Sequence, residues 1–437
     1  MTHDLAVIGG GPAGVATVLA ARALAPHWQV LWCRGPRGDA EDFLPAYGGN
    51  DLVHRLNVPV ERMGLDAEAP VDFFDWLRSA HPGREVQPGQ FVPRRWFGEY
   101  LGARAADCSV AQRFGDVSRL GREDGTWRLA FDAHAAPDAR ATRVALCLGM
   151  PAGAPMPGAP AHWMADPWAW WRALDGGPSA LPGLPPPAAT VLIVGSGLTA
   201  VDMVLGLRER GFPGRIRVVS TGGRWSQAHA PAAPLSPEAR EALECALDEA
   251  VTARALLQAL RTAARHHPWR AVVDALRADT NARWSSLAPD EQRRLLRHAF
   301  GHWNRHRHRM APDVLQRLQA DAGLTIEPGR VHVVDGAIVK RHRGVEEGLD
   351  VALALDCRGP GFRSALAGHS LLARLVRDGV LEAHPLGTGV RPPADPSLAV
   401  VGAARFGERF ETTAVPELRQ QAVEVVQRLS PVRAPSR

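Results

Sequence analysis

A short apolar strand that runs directly into spaced glycines and then into a helix leaves a chain few choices of fold, and this pattern opens the sequence. Residues 4–14 read DLAVIGGGPAG. Leu5 to Gly9 has the unbroken apolarity of a strand covered on both faces of a parallel sheet. Gly9, Gly11 and Gly14 fall on the G-x-G-x-x-G spacing, with Pro12 and Ala13 between, and Val15 to Leu24 continues as an alanine-rich helix. The glycines have separate tasks: a tight turn, close approach of backbone to a pyrophosphate, and close packing of helix on strand. The helix start then offers unpaired N–H groups and the positive end of its dipole to an anion. In a chain with 43 glycines the spacing alone means little, and the strand before and helix after make it specific. The acid expected about 20 residues on, for a ribose hydroxyl, is missing. Trp28 to Trp32 reads as the second strand and runs into Cys33 and Arg34, with Asp39, Glu41 and Asp42 the nearest acids.

The pattern recurs 186 positions later, from Gly9 to Gly195, in TVLIVGSGLTAVD at residues 190–202. Here Gly195, Gly197 and Ala200 match G-x-G-x-x-A, with Thr199 inside the motif. A helix follows to about Arg210, then a strand from Arg215 to Val219. The residues after that strand are Ser220, Thr221 and Arg224, with no acid. Hydroxyls and an arginine suit a 2′-phosphate, whereas an acid would select the plain hydroxyl, so this unit is expected to take NADPH rather than NADH.

Two such units define the expected fold class: α/β, with two nested Rossmann-like dinucleotide-binding domains and a helical insert. The first domain is expected in two segments, 1–158 and 345–437, because glycine-terminated strands at both ends of the chain suit one cofactor site. The second occupies 159–344, with the insert at about 236–318. The stretch 151–187 is dense in proline and holds Trp163, Trp168, Trp170 and Trp171. It reads as an ordered crossover rather than a flexible linker. Asp72 to Leu77 and Arg94 to Leu101 carry aromatics at helical spacing and read as core. Thr142 to Leu148 reads as a strand ending at Gly149, and Leu349 to Leu355 as one followed by Gly359. Both glycines are expected to let the chain turn beneath a cofactor. Ser397 to Val401 is the last strand, ending at Gly402, before a helix from Leu418 to Leu429 and a disordered tail, 430–437.

The insert ends in WNRHRHR, residues 303–309. Arginine's planar fork suits a carboxylate or phosphate, so at least one of Arg307 and Arg309 is expected to face an interdomain cleft and hold an anionic substrate group or the coenzyme phosphates. The alternative is a solvated helix end whose cations sit near the negative pole. His302, His306 and His308 have no Cys, Asp or Glu at ligand spacing, so no metal is expected.

Composition excludes several classes. The net charge is +5 and the pI about 9.3, yet Lys340 is the only lysine, and no aromatic–basic platform or helix-turn-helix accompanies the charge, so nucleic-acid binding is not expected. No run of 18 apolar residues occurs and the N-terminus enters a strand at once, which predicts neither membrane span nor signal peptide. Cys33, Cys108, Cys147, Cys245 and Cys357 are scattered without a C-x-x-C pair. That predicts a reduced, cytoplasmic protein, neither a dithiol redox enzyme nor a zinc protein.

The motifs GGGPAG, LNVP (56–59), WRAVVDALR (269–277), RHR-MAP (307–312) and ETTAVPELR (411–419) resemble those of FAD/NAD(P)-binding proteins of the broad flavin-dependent monooxygenase-like class, over nearly the whole chain. The resemblance implies FAD bound by the first domain and the C-terminal part, its pyrophosphate on Gly9, Gly11 and Gly14. Asn57 with its neighbours, and Thr412 and Thr413, would lie near the isoalloxazine. Arg34, Met63, Gly149, Gly359 and Gly402 join the candidate cofactor-binding set. The chain departs from the family pattern at Arg34, at Arg358 before Gly359, and at Ala403 and Ala404 after Gly402. Thr221 and Gly222 replace a basic pair, which leaves Arg224 to substitute.

The leading expectation is an FAD-dependent, NADPH-using oxidoreductase, a monooxygenase hydroxylating a small molecule with molecular oxygen. Such chemistry needs flavin and nicotinamide brought together and few acid–base side chains. The absence of a Ser-His-Asp or paired-carboxylate constellation fits it. Two alternatives stay open: a flavin-dependent dehydrogenase or reductase without oxygen insertion, and a non-catalytic binding protein that keeps the fold.

Overall fold

The computed structural model describes residues 1–35, 47–48, 51–132, 137–151, 153–174, 182–359, 361, 366 and 370–430. Asp39, Glu41 and Asp42 and most of the expected tail lie outside the described residues, as do parts of the 151–187 stretch. The chain divides into two compact units, Met1–Ala154 with Pro360–Arg437, and Pro155–Gly359.

In the first unit five strands form one parallel sheet, in the order Leu398–Val400, Val144–Leu146, Leu5–Ile8, Val30–Arg34, Ala111–Phe114. Leu5–Ile8 is buried at every position, as its continuous apolarity predicts for a strand covered on both faces. Leu398–Val400 pairs with Val144–Leu146, so the last strand of the chain closes the sheet begun by the first. Pro12–Leu24 and the C-terminal helix Val415–Leu429 share one core with Trp32, Phe73, Leu77, Phe97 and Tyr100. Phe73 and Leu77 of Asp72–Ala80, and Phe97 and Tyr100 of Arg94–Asp107, are fully buried, so these aromatics pack the core. A meander of Val117–Glu123, Thr126–Phe131 and Ala139–Ala141 leads back to Val144–Leu146.

The second unit repeats this plan. Its five parallel strands run Leu324–Pro328, Arg215–Ser220, Thr190–Val194, Leu353–Asp356, Trp163–Met164. A three-stranded meander, Arg330–Val334, Ala337–His342 and Val345–Gly348, leads to Leu353–Asp356. Lys340 bonds Glu327 and Glu347, and Arg217 bonds both acids, which fastens the meander to the parallel sheet. Among the described residues, seven helices from Pro237–Asp248 to Pro312–Ala320 make up the helical insert. In the crossover, Trp170 and Trp171 of Pro167–Ala173 are fully buried, and Trp171 lies where a side chain on Gly206 would clash.

The domain limits differ from those expected. Chain crossings fall after Ala154 and after Gly359, not at 158 and 344. The whole meander and Leu353–Asp356 belong to the second unit, where the meander forms its own three-stranded sheet and Leu353–Asp356 pairs with Thr190–Val194. Short apolar strands look alike from either unit, and only pairing assigns them.

Candidate dinucleotide sites

Each unit carries one glycine loop at the end of its central strand. Gly9 has φ +126°, and its N–H donates to Cys33 O at 2.9 Å, while the Cys147 N–H donates to Ile8 O at 2.8 Å. A Cβ on Gly9 would stand 2.1 Å from Cys147 O, and one on Gly14 would stand 2.0 Å from Gly9 O. Neither position admits a side chain without backbone movement. Trp32 Nε1 donates to Gly9 O at 2.9 Å and fixes the turn from the neighbouring strand. Gly11 begins the helix at φ −74°, ψ −175°, and no side chain caps it. Pro12 has no N–H to offer, so the first-turn amides after it are the donors left for an anion. Gly402 comes to this loop from the C-terminal segment: a Cβ on it would lie 3.7 Å from Ala13 Cβ.

The second loop has nearly the same geometry. Gly195 has φ +107°, donates to Val219 O at 2.8 Å, and a Cβ there would stand 2.4 Å from Cys357 O. Gly197 begins its helix at φ −75°, ψ −176°, again without a side-chain cap. Ala200 is fully buried. After the returning strand of each unit comes the same sequence, cysteine, one residue, then a glycine with positive φ: Gly149 at +72° and Gly359 at +97°. Among the described residues, no atom lies within 4 Å of where a Cβ on either glycine would stand.

The cysteines beside these loops are packing groups. Burial pushes the Cys33 and Cys147 thiols up to about 12, and burial with the Asp356 and Asp202 charges raises Cys357. A neutral thiol is a poor nucleophile. Among the described residues no group of three His, Cys, Asp or Glu is placed to hold a metal ion.

Several candidate residues have other employment. Arg34 is the last residue of its strand and is buried, its Nη1 donating to Gln112 Oε1 at 3.0 Å and its guanidinium lying over the Trp32 and Phe114 rings. It is a packed and bonded residue rather than a simple replacement for the ribose acid. Met63 is 2% exposed within the core, so its side chain serves packing, while Asn57 is half-buried. Thr412 is buried with its hydroxyl donating to Gly402 O at 2.7 Å, and Gln421 Nε2 donates to Thr412 O, a latch that holds Gly402 in place. Thr413 is exposed.

In the second unit Ser220 Oγ accepts the Gly223 N–H at 3.1 Å and folds the turn, and Thr221 and Arg224 are exposed. Arg307 and Arg309 correct the reading of a solvated helix end, because each is buried within this unit. Arg309 Nη1 and Nη2 are bonded to Asp274, its Nε donates to His306 O at 2.9 Å, and it lies over the Trp269 ring. Its fork is already filled by a carboxylate, so it is not presented to an anionic ligand.

The structure also brings up residues that the motifs do not single out. Ser196 Oγ donates to Arg224 O at 2.9 Å, and Gly402 N–H donates to Gln421 Oε1 at 3.0 Å. Asp356 is buried and takes a two-pronged bond from Arg358, Nε to Oδ1 at 2.8 Å and Nη2 to Oδ2 at 2.6 Å. An acid ending an apolar strand two residues before an arginine was the available signal for that pair.

These paired loops and parallel sheets define a protein built from two dinucleotide-binding units. The model of the FAD-NAD(P)-binding family matches residues 6–151. No curated protein matches the chain by sequence. Among solved structures, L-lysine 6-monooxygenase from Pseudomonas syringae is 15% identical with a TM-score of 0.61, over 98% of this chain and 99% of that one. An ornithine N-hydroxylase from Kutzneria sp. 744 is 14% identical, TM-score 0.59, over 98% and 99%. The bacillithiol disulfide reductase of Staphylococcus aureus is 10% identical, TM-score 0.54, over 98% of each chain. The fold is therefore that of the two-unit flavoprotein monooxygenases and reductases, as the glycine motifs led one to expect. Among the described residues, no helix is long and apolar enough to cross a membrane.

Proposed function

We propose that the chain is an FAD-dependent, NADPH-using monooxygenase that hydroxylates a small amine. The observation that carries the reading is the duplicated cradle. Gly9–Gly11 and Gly195–Gly197 offer the same backbone bend and the same uncapped helix start, each at a point where a Cβ would strike a carbonyl. That geometry fits a pyrophosphate, which needs bare backbone and unpaired amides. FAD would sit on Gly9, Gly11, Ala13 and Gly14, with Gly149, Asn57, Gly402 and Thr413 around it, and NADPH on Gly195, Gly197, Thr199 and Ala200, with Ser220, Thr221 and Arg224 at its 2′-phosphate. Reduced by the nicotinamide, a bound flavin supplies the electrons that activate molecular oxygen. The chain's part is to hold each dinucleotide: Trp32 and the Cys147 backbone keep the first loop bent, Gln421 and Thr412 hold Gly402 beside Ala13, and Ser196 ties the second loop to Arg224. The amine substrate class rests on the ornithine and lysine hydroxylases that share the fold. A cytoplasmic location suits the reduced cysteines and belongs to the same reading.

The test is a visible spectrum of the purified, FAD-supplemented protein, followed by NADPH oxidation in air with a panel of diamines and basic amino acids. A flavin spectrum and amine-stimulated oxidation with a hydroxylated product are expected. Failure to bind FAD leaves a non-catalytic protein. Oxidation that yields no hydroxylated product leaves a reductase or dehydrogenase.

A further inference from the structure

The helical insert contributes a basic surface that the dinucleotide fold does not require. Helix Phe300–Arg307 is fastened to the loop after strand Arg215–Ser220 by two bonds: Arg305 Nε donates to Trp225 O at 2.9 Å, and Gln227 N–H donates to Arg305 O at 2.9 Å. The same loop is fastened to the second glycine loop through Ser196 Oγ and Arg224 O. Only the dipeptide Arg224-Trp225 thus separates the glycine loop from the insert. Arg224, Arg261 and His302 are exposed and Arg305 is half-buried.

The charges that meet there have one sign. Burial lowers the His302 pKa, and His306, Arg261, Arg305 and Arg224 all press it further in the same direction. Arg305 is likewise lowered, by burial and then by Arg224. No carboxylate offsets either group, and among the described residues none forms an ion pair with Arg224, Arg261 or Arg305. Elsewhere the chain pairs its arginines readily: Arg309 and Arg277 share Asp274, and Arg217, Arg208 and Arg358 each hold an acid. A partly desolvated guanidinium beside another, with no acid between them, is costly unless an anion joins them. Space is open on the loop side: among the described residues, nothing lies within 4 Å of where a Cβ on Gly197 or Gly222 would stand.

We infer that His302 and Arg305, with Arg261 from helix Ala253–His266, form a second wall of the coenzyme-phosphate site whose first wall is Arg224, so that the helical insert helps select the 2′-phosphate. This rests on the NADPH reading above. It adds residues from the insert as specificity determinants and gives the insert a binding role. Arg305 would act by a charge-assisted fork to the phosphate oxygens, Arg261 by charge, and His302 by donating a ring N–H.

The experiment is calorimetric titration of the full chain at low salt with 2′,5′-ADP and with 5′-AMP, which lacks the 2′-phosphate. The wild type should bind 2′,5′-ADP more tightly. Arg305→Gln should weaken 2′,5′-ADP roughly ten- to a hundred-fold and leave 5′-AMP unchanged, as loss of a charge-assisted bond predicts. Arg305→Lys should fall between. Because Arg305 also holds Trp225, the exposed Arg261→Gln serves as a variant that spares the fold, with a several-fold loss for 2′,5′-ADP alone. If the wild-type preference persists undiminished in both folded variants, the insert's role is overturned while the NADPH reading stands. Equal binding of the two probes by the wild type overturns the NADPH reading itself.

Discussion

The two units share a plan and differ in what they do with it. Each runs central strand, glycine loop, helix, second strand, helical excursion, third strand, three-stranded meander, returning strand, and in each the returning strand ends in cysteine, one residue and glycine. The backbone angles at Gly11 and Gly197 agree within a degree. The surroundings of the loops diverge. In the first unit a tryptophan donates to the Gly9 carbonyl, Arg34 is buried against Gln112, and a C-terminal segment brings Gly402 to the loop. In the second unit the corresponding ground is basic, with Arg224 and His302 exposed and the insert's Arg305 half-buried. A shared cradle binds what dinucleotides have in common; the residues around it decide which one is held.

The comparison breaks most sharply at the first glycine of each loop. Gly9→Ala puts a methyl into Cys147 O on a residue at positive φ, and Gly195→Ala does the same against Cys357 O. Each should cost about 3 kcal/mol or more, since strain and backbone overlap add. Chemical denaturation followed by flavin release and by NADPH titration would show whether each lesion strikes its own coenzyme. Equal damage to both coenzymes from either variant would mean the cradles are not independent.

The third motif position gives a smaller, asymmetric effect. Gly14→Ala forces a Cβ to 2.0 Å from Gly9 O and should destabilise by roughly 2–3 kcal/mol. Ala200 already accommodates its methyl, so Ala200→Gly should cost only about 1 kcal/mol, the helix penalty of glycine. Thermal unfolding of the pair measures how much more tightly helix and strand close in the first unit.

The smallest effect is a pH dependence. His302 and His306 in the second unit have pKa values lowered first by burial, as do His3 and His384 in the first. The unfolded chain then binds more protons than the folded one once the pH drops below about 6.5, the ordinary histidine value, so stability is full above that pH and declines as the pH falls. Melting temperatures should decrease from pH 7 to pH 5, with a shallower slope for His306→Gln. An unchanged slope would show that His306 titrates normally. Saturating 2′,5′-ADP should shift the balance at His302, where cations press on the ring, and leave His3 and His384 as they were.

Much of this is legible in the sequence alone. Continuous apolar runs before G-x-G can only be covered parallel strands, because alternation would have left one face polar, and the glycines announce their tasks through the side chains they lack. The positive φ at Gly9, Gly195, Gly149 and Gly359 follows the residue type. Local sequence thus determined the elements, the loops and the duplicated fold class. It did not determine partners. That Leu353–Asp356 belongs to the second sheet, that Arg309 is filled by Asp274 and that Thr412 closes on Gly402 are facts of long-range pairing. The basic segment shows the limit plainly: Arg305, Arg307 and Arg309 alternate along one stretch, and nothing local distinguishes them. Tertiary packing buried Arg307 and Arg309 and left Arg305 beside Arg224 without an acid, because which acids and carbonyls a guanidinium meets depends on the helices folded around it.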